Sequence, residues 1–411
     1  MSVSIPGKFI FLLIVVSLLL TPAPVHSRLG ILSRPPDWSR LDKYQQSITR
    51  DTFARLLRET YALNGAAYGA IWIDRTHALI RKKTGELDFY RFEFAPSETH
   101  RREVPVLWRP VIPGELAGRK IALDPGHLGG PWAKMEERWF QIGTSTPVTE
   151  GDMTLLVAQH LADRLTKAGA TVQWVRQTTE PLTSARPESL LDDARKNLAQ
   201  RNLPLRDAAN PQRNPVQSEA ERLFYRLSEI RERARRNNDV LRPDLTICIH
   251  FNAEAWGDPT APTFVENNHL HLLINGHYSR NEIALDDVRF EMIEKLLTLS
   301  AGEEIRQSER IAASLARATG LPPYTYTRPV AVLVPGSRYV WARNLLANRL
   351  YRNPTIFLEP YVMNHEEVFE RIQMGDYEGE REVRGVKRKS IYREYADAVA
   401  DALIAAPPSP P

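Results

Sequence analysis

Two hydrophobic rhythms run through this chain, and they divide it into zones. Near the start, Phe53, Leu56, Leu57 and Tyr61 fall on one face of a helix. Asn64-Gly65 then signals a stop. Two strand-like runs follow. The first covers 70–73 and continues through 78–80; the second covers 89–94, where Phe89, Arg91 and Glu93 alternate with Tyr90, Phe92 and Phe94. Residues 28–115 therefore read as a small α+β domain of unknown role, closing in a run that contains Pro105, Pro110 and Pro113. From 118 the pattern changes to strand, loop, helix, strand. The strand at 120–123 leads to a helix over 152–167, with Met153, Leu156, Val157, Leu161 and Leu165 in one stripe and Gly169 as its stop. A strand at 171–175 completes what predicts a parallel βαβ unit. Residues 189–200 and 218–236 read as polar helices. Residues 245–249, 269–274, 330–334 and 355–358 read as strands, with helices at 283–299 and 308–319 between them. Alternating strands and helices predict a layered α/β/α domain over 118–405, with a mostly parallel twisted sheet, preceded by the small α+β domain.

Composition refines this picture only slightly. The 411 residues carry 54 basic and 50 acidic side chains for a net charge of +4, without a long single-sign run, so nucleic acid is not an expected partner. The single cysteine, Cys248, excludes an internal disulfide and a cysteine-rich metal site; set in an apolar strand, it reads as a small buried hydrophobe. Lys8, the apolar stretch 9–20 and the small residue Ser27, with Val25 two positions before it, have the layout of a secretory signal over 1–27. That stretch is short of the roughly 20 residues that span a bilayer. The mature chain is expected to be periplasmic or secreted, without a membrane span. Residues 406–411 form a Pro-rich tail.

Four polar residues stand at or beside the ends of apolar strands. His127 follows the first strand of the βαβ unit through Asp124-Pro125-Gly126, His250 ends the strand at 245–249, Glu359 ends the strand at 355–358, and Glu150 precedes the helix at 152. Loops beyond strand C-termini gather into the ligand crevice of an α/β sheet. Two imidazoles and one carboxylate, with one position left open, make up a catalytic zinc centre, and a spare carboxylate nearby can move a proton.

The local sequence sharpens that reading. Ile121-Ala122-Leu123-Asp124-Pro125-Gly126-His127, then Glu150-Gly151-Asp152 opening a helix, then Thr246-Ile247-Cys248-Ile249-His250-Phe251-Asn252-Ala253 resemble the zinc-dependent N-acetylmuramoyl-L-alanine amidases of bacterial cell-wall turnover. Thr319-Gly320-Leu321-Pro322-Pro323 and Phe357-Leu358-Glu359 follow in the family's order. The resemblance covers about 118–405. It implies that His127, Glu150 and His250 hold zinc, that Glu359 is the catalytic base, and that peptidoglycan is the substrate, cut between N-acetylmuramic acid and L-alanine. Asp124 either orients His127 from behind or simply makes the Asp-Pro-Gly turn.

The chain departs from the family in several places. Its loop after His127 is longer and leaves Glu136 and Glu137 as rivals of Glu150, which is favoured because a helix follows it directly. After Glu359, Pro360-Tyr361-Val362-Met363-Asn364 is one residue shorter than the family pattern. Helical insertions fall near 184–240 and 254–302. Some relatives carry a helix that plugs the zinc cleft until an activator protein displaces it, and either insertion has the length to do so. The competing function is a non-catalytic cell-wall-binding or regulatory protein that keeps the fold. His269 and His271 share a strand face, and His160 falls in a helix; both read as structural. Trp132, Trp139 and Trp256 either stack on sugar rings or cover the core.

Overall fold

Period-two alternation in the first hundred residues closes a three-stranded antiparallel sheet, in which β1 (Ile71–Ile73), β2 (His77–Arg81) and β3 (Phe89–Glu93) pair in that order. Ahead of it lies α1 (Arg50–Leu56), which widens into a π-helical turn through Tyr61. The face carrying Phe53, Leu56, Leu57 and Tyr61 is buried, as its spacing predicts. The computed structural model of the chain describes residues 29–405 apart from 106, 208, 209, 211, 213, 256, 259 and 260. The expected signal segment 1–27, the 406–411 tail and Trp256 lie outside the described residues.

The second zone opens with β4 (Lys120–Pro125), followed by the short strands β5 (Trp139–Phe140) and β6 (Val148–Thr149), α2 (Glu150–Lys167) and β7 (Thr171–Trp174). β4 and β7 pair in parallel across α2, which is the expected βαβ unit. The polar stretch holds α3 (Leu191–Gln200), α4 (Pro215–Leu223) and α5 (Glu229–Arg235); α4 and α5 belong to one helical run that π-helical turns extend to Leu241. Next come β8 (Leu245–Ile249), β9 (Leu270–Ile274), α6 (Arg280–Ile283), α7 (Asp286–Leu297) and α8 (Ala301–Thr319). The last hundred residues add β10 (Val332–Leu333), β11 (Val340–Ala342), α9 (Leu346–Leu350), β12 (Thr355–Pro360), α10 (Glu366–Gln373), the hairpin of β13 (Arg381–Val383) and β14 (Val386–Arg388), and α11 (Ile391–Ile404). Of these, β11, α9, α10, the hairpin and α11 were not legible from periodicity.

The central sheet runs β10-β11-β9-β12-β8-β4-β7. β7, β4, β8 and β12 are mutually parallel; β9 enters antiparallel to β12, and β11 follows β9. Successive side chains point to opposite faces of a strand, so parity decides which layer each residue joins. Ile247, Ile249, Ile356 and Leu358 bury against α2, α8 and α11. Cys248, Phe357, Leu273 and Trp341 face the other way, toward Tyr351 and Ala234. The architecture is therefore a three-layer α/β/α arrangement with a mostly parallel sheet.

The hydrophobic residues of 41–94 share one core with residues of α7, Ile293 and Leu296 among them. That helix reads as charged, yet its charges are buried and paired. Lys295 donates to the carbonyls of Tyr351 and Asn353 at 2.8 and 2.7 Å and meets Glu304 at 2.7 Å, with both side chains fully shielded from solvent. This ties α7 and α8 to the entrance of β12, the strand that carries Glu359.

A buried charge that loses its partner is costly. Lys295→Met is expected to destabilise the fold by about 3–5 kcal/mol in urea unfolding, and the double variant Lys295→Met/Glu304→Leu to recover most of that loss. Equal stability of the single and double variants would disprove the coupling.

Candidate metal centre and its cleft

The centre begins with a close approach of backbone to side chain. His127 sits in the left-handed region, with φ at 57°, immediately after the Asp124-Pro125-Gly126 turn at the end of β4. A Cβ on Gly126 would overlap the His250 ring, and a Cβ on Gly151 would overlap the backbone of Leu128 and Gly129. Glycine at these two positions lets the His127 loop, the start of α2 and the end of β8 meet.

There the side chains converge. One donor atom from each of His127, Glu150 and His250 falls within 4.8 Å of the others, and no other group of this kind occurs among the described residues. Glu150 bridges the pair, with its two oxygens 3.4 Å from His127 Nε2 and 3.4 Å from His250 Nδ1. Its Oε1 also accepts the Phe251 backbone N–H at 3.1 Å. The imidazoles meet edge to face at 5.0 Å, and His250 stacks on Phe357 at 5.3 Å. Burial alone would raise the Glu150 carboxyl; the His127 and His250 imidazoles and Arg138 outweigh it and hold the group at about 2.

Glu136 and Glu137 take other places. Glu136 accepts from His127 Nδ1 at 2.7 Å and from the Leu128 backbone N–H. A carboxylate on Nδ1 favours a proton there and leaves Nε2 as the acceptor, which takes the Arg138 Nε–H at 3.2 Å. Glu137 offers its backbone carbonyl to Arg138 Nη1. Glu136 thus has the orienting contact that was one of the two readings of Asp124. Asp124 instead accepts from Arg233 Nη1 at 3.0 Å and Tyr351 Oη at 2.6 Å.

Arg233 comes from α5, inside the polar stretch read as an insertion. It also donates to the Pro125 carbonyl at 2.9 Å and is backed by Glu229 at 2.8 Å. Arg176, just past β7, donates to the carbonyls of Pro125 and His127. The stretch therefore braces the His127 loop from behind. No residue of 187–241 lines the cleft among the described residues. The i,i+4 spacing of Glu229 and Arg233 was the available sequence signal; their burial was not readable.

The cleft holds about 240 Å³ and is lined by His127 and Glu150 of the centre together with Asn252, His271, Tyr324, Tyr326, Arg343 and Glu359. Burial pushes the Glu359 carboxyl up, and the Glu150 charge adds to this against the pull of His250, leaving it at about 7. Arg138 also reaches the centre: its Nε donates to His127 Nε2 at 3.2 Å and lies 3.4 Å from Glu150 Oε2. Other residues settle elsewhere. Trp132 packs on Phe224 and donates to Glu180, so it covers the core of the polar stretch. Trp139 lies under Lys134. His160 pairs with Asp376, and His269 with Glu254. Cys248 is buried beside Asp124.

No protein-family model matches the chain, and no curated protein matches it. Solved structures similar to it include amidases. Ami1 from Mycobacterium abscessus, an N-acetylmuramyl-L-alanine amidase in apo form, shares 16% identity over 70% of this chain and 97% of its own, with a TM-score of 0.38. The CwlD amidase from Clostridioides difficile, solved in complex with the GerS lipoprotein, shares 13% over 70% of this chain and 96% of its own, with a TM-score of 0.37. AmiC2 of Nostoc punctiforme shares 12%, with coverages of 70% and 96% and a TM-score of 0.33.

Two variants test the centre in opposite directions. Glu136→Gln weakens the orienting contact and is expected to raise the zinc Kd about 10–100-fold. Arg138→Ala removes a cation from beside two ligand atoms and is expected to lower that Kd about tenfold. Competition with a chelating dye measures both; an unchanged Kd in either variant would remove that residue from the centre.

Proposed function

We propose that the chain is a zinc-dependent amidase that hydrolyses the bond between N-acetylmuramic acid and the L-alanine of the peptide stem in peptidoglycan. One observation carries the proposal: two imidazoles and an ionised carboxylate converge from three separate segments, and a second carboxyl, held at about 7, lines the same cleft. The segments are those of the amidase resemblance, Asp-Pro-Gly-His, Glu-Gly-Asp and Ile-His-Phe-Asn-Ala.

The donor set fits zinc, which favours nitrogen and carboxylate ligands in a three-ligand catalytic site. In this proposal His127, Glu150 and His250 hold the ion, which supplies Lewis-acid polarisation of the scissile carbonyl when bound. Glu136 keeps His127 in the tautomer that presents Nε2. The Glu359 carboxylate takes a proton from the attacking water and returns it to the alanine nitrogen as the amide breaks. A carboxyl near neutrality can do both, because it is neither too weak a base nor too weak an acid.

One observation favours the competing reading, a wall-binding or regulatory protein without activity: Arg138 brings a fixed positive charge to the ligand atoms. Zinc content separates the two, since the amidase binds about one ion per chain and the inactive protein binds none. A periplasmic or secreted location belongs to the same proposal. No helix of the described residues is long and apolar enough to cross a membrane. A protein activator is kept as a partner, but removal of a helix of 187–241 from the cleft is not part of the proposal.

Glu359→Gln is expected to keep its zinc and lose at least about a thousandfold in turnover of purified peptidoglycan, the scale of general acid–base catalysis. Mass spectrometry should find free peptide stems beginning with L-alanine from the unaltered chain. Full turnover in the variant, or cuts within the stem, would refute the assignment.

A further inference from the structure

Part of the cleft wall is built from residues that the metal centre does not use. Sheet register explains why they meet there. Glu359 on β12 pairs with His271 on β9, and Leu273 on β9 pairs with Trp341 on β11. By alternation, Glu359, His271, Trp341 and Arg343 belong to one face of the sheet. Tyr324 and Tyr326, which follow α8, pack over that face. Tyr326 meets Trp341 at 5.0 Å and Tyr324 at 4.7 Å, both edge-on.

This packing holds Arg343 in place, 5.6 Å from the Tyr326 ring centroid, and leaves it without an ion pair, its charge reaching Glu359 only at longer range. Arg343 Nη1 donates to Tyr326 Oη at 3.3 Å. Tyr326 Oη also lies within hydrogen-bond distance of His271 Nε2, at 3.1 Å. Burial pushes His271 down to about 3, so its ring is neutral and brings no charge to the wall. Among the described residues Arg343 forms no ion pair, and Tyr326 is its one side-chain hydrogen-bond partner. The other guanidinium of the cleft, Arg138, is already engaged by His127, Glu150 and the Glu137 carbonyl.

We infer that Arg343 is a substrate carboxylate subsite, which takes the free α-carboxylate of the stem's second residue, next to the alanine at the cut. The inference rests on the amidase reading and names what the cleft recognises beyond the scissile bond. A planar fork with spare donors pairs with a carboxylate through two parallel hydrogen bonds. A phosphate dianion suits the site less well, because Glu150 and Glu359 line the same small cavity. Where that residue is joined onward through a side-chain carboxyl, its α-carboxyl is either free or capped as a carboxamide. A carboxamide would leave the Arg343 charge unpaired, which is how a polar subsite rejects a near-isostere.

The test uses two muropeptides that differ only in a carboxylate or a carboxamide at the second residue. Both are offered to the zinc-loaded full chain and to Arg343→Gln and Arg343→Lys, with zinc content and calorimetric binding read separately. The unaltered chain is expected to prefer the acid form by about tenfold or more in kcat/KM, mainly through KM. Arg343→Gln should lose that preference with its zinc content unchanged, and Arg343→Lys should keep part of it. Equal handling of the two muropeptides by the unaltered chain, or an undiminished preference in Arg343→Gln, overturns the subsite. Cleavage of neither muropeptide by the unaltered chain refutes the amidase reading instead. Calorimetry then decides the subsite, which stands if the acid form binds more tightly and Arg343→Gln abolishes the difference, and falls otherwise.

Discussion

Everything at the centre depends on backbone reaching closer to its neighbours than any side chain would permit. The His250 ring lies against Gly126, and the first turn of α2 lies against Leu128 and Gly129 at Gly151. With those two contacts made, Glu150 has nowhere to go but between the imidazoles, and its charge settles there because both rings and the Phe251 N–H face it. An alanine at either glycine would push apart the segments whose meeting creates the donor set.

A second tier keeps that meeting in register. Asp124 stands directly beneath the His127 turn and is pinned from two directions, by Arg233 of α5 and by Tyr351 after α9. Glu229 neutralises Arg233 from one turn away and also accepts the backbone N–H groups of Leu182 and Thr183. These buried charges are each paired more than once, the condition under which burying them is tolerable. The polar stretch, at first sight an addition to the fold, is thus a structural support for the His127 loop.

What could be read from the sequence follows from how local each signal is. The βαβ unit, α1 and the buried strands at 245–249 and 355–358 were legible because their periodicity or apolar run is complete within one segment. His127, Glu150, His250 and Glu359 were legible because each lies at the end of such a segment. β11 escaped because Val340–Ala342 is only three residues long. Tyr326 and Arg343 escaped, and Glu136 was legible only as a rival ligand, because their positions are set by partners more than a turn of chain away. The same limit hid the charged face of α7: Lys295 and Arg289 look solvated in sequence, and only the carbonyls and carboxylates they meet in space make them interior residues.

The parity of β12 has one more consequence. Leu358 and Glu359 are neighbours in sequence, yet one belongs to the helix-covered layer and the other to the cleft. Adding or losing a single residue upstream in that strand would exchange them, pointing an acid into hydrocarbon and a leucine into the cleft. This wall of the cleft can therefore be retuned by substitution, or by changes of length made two residues at a time, but not one at a time.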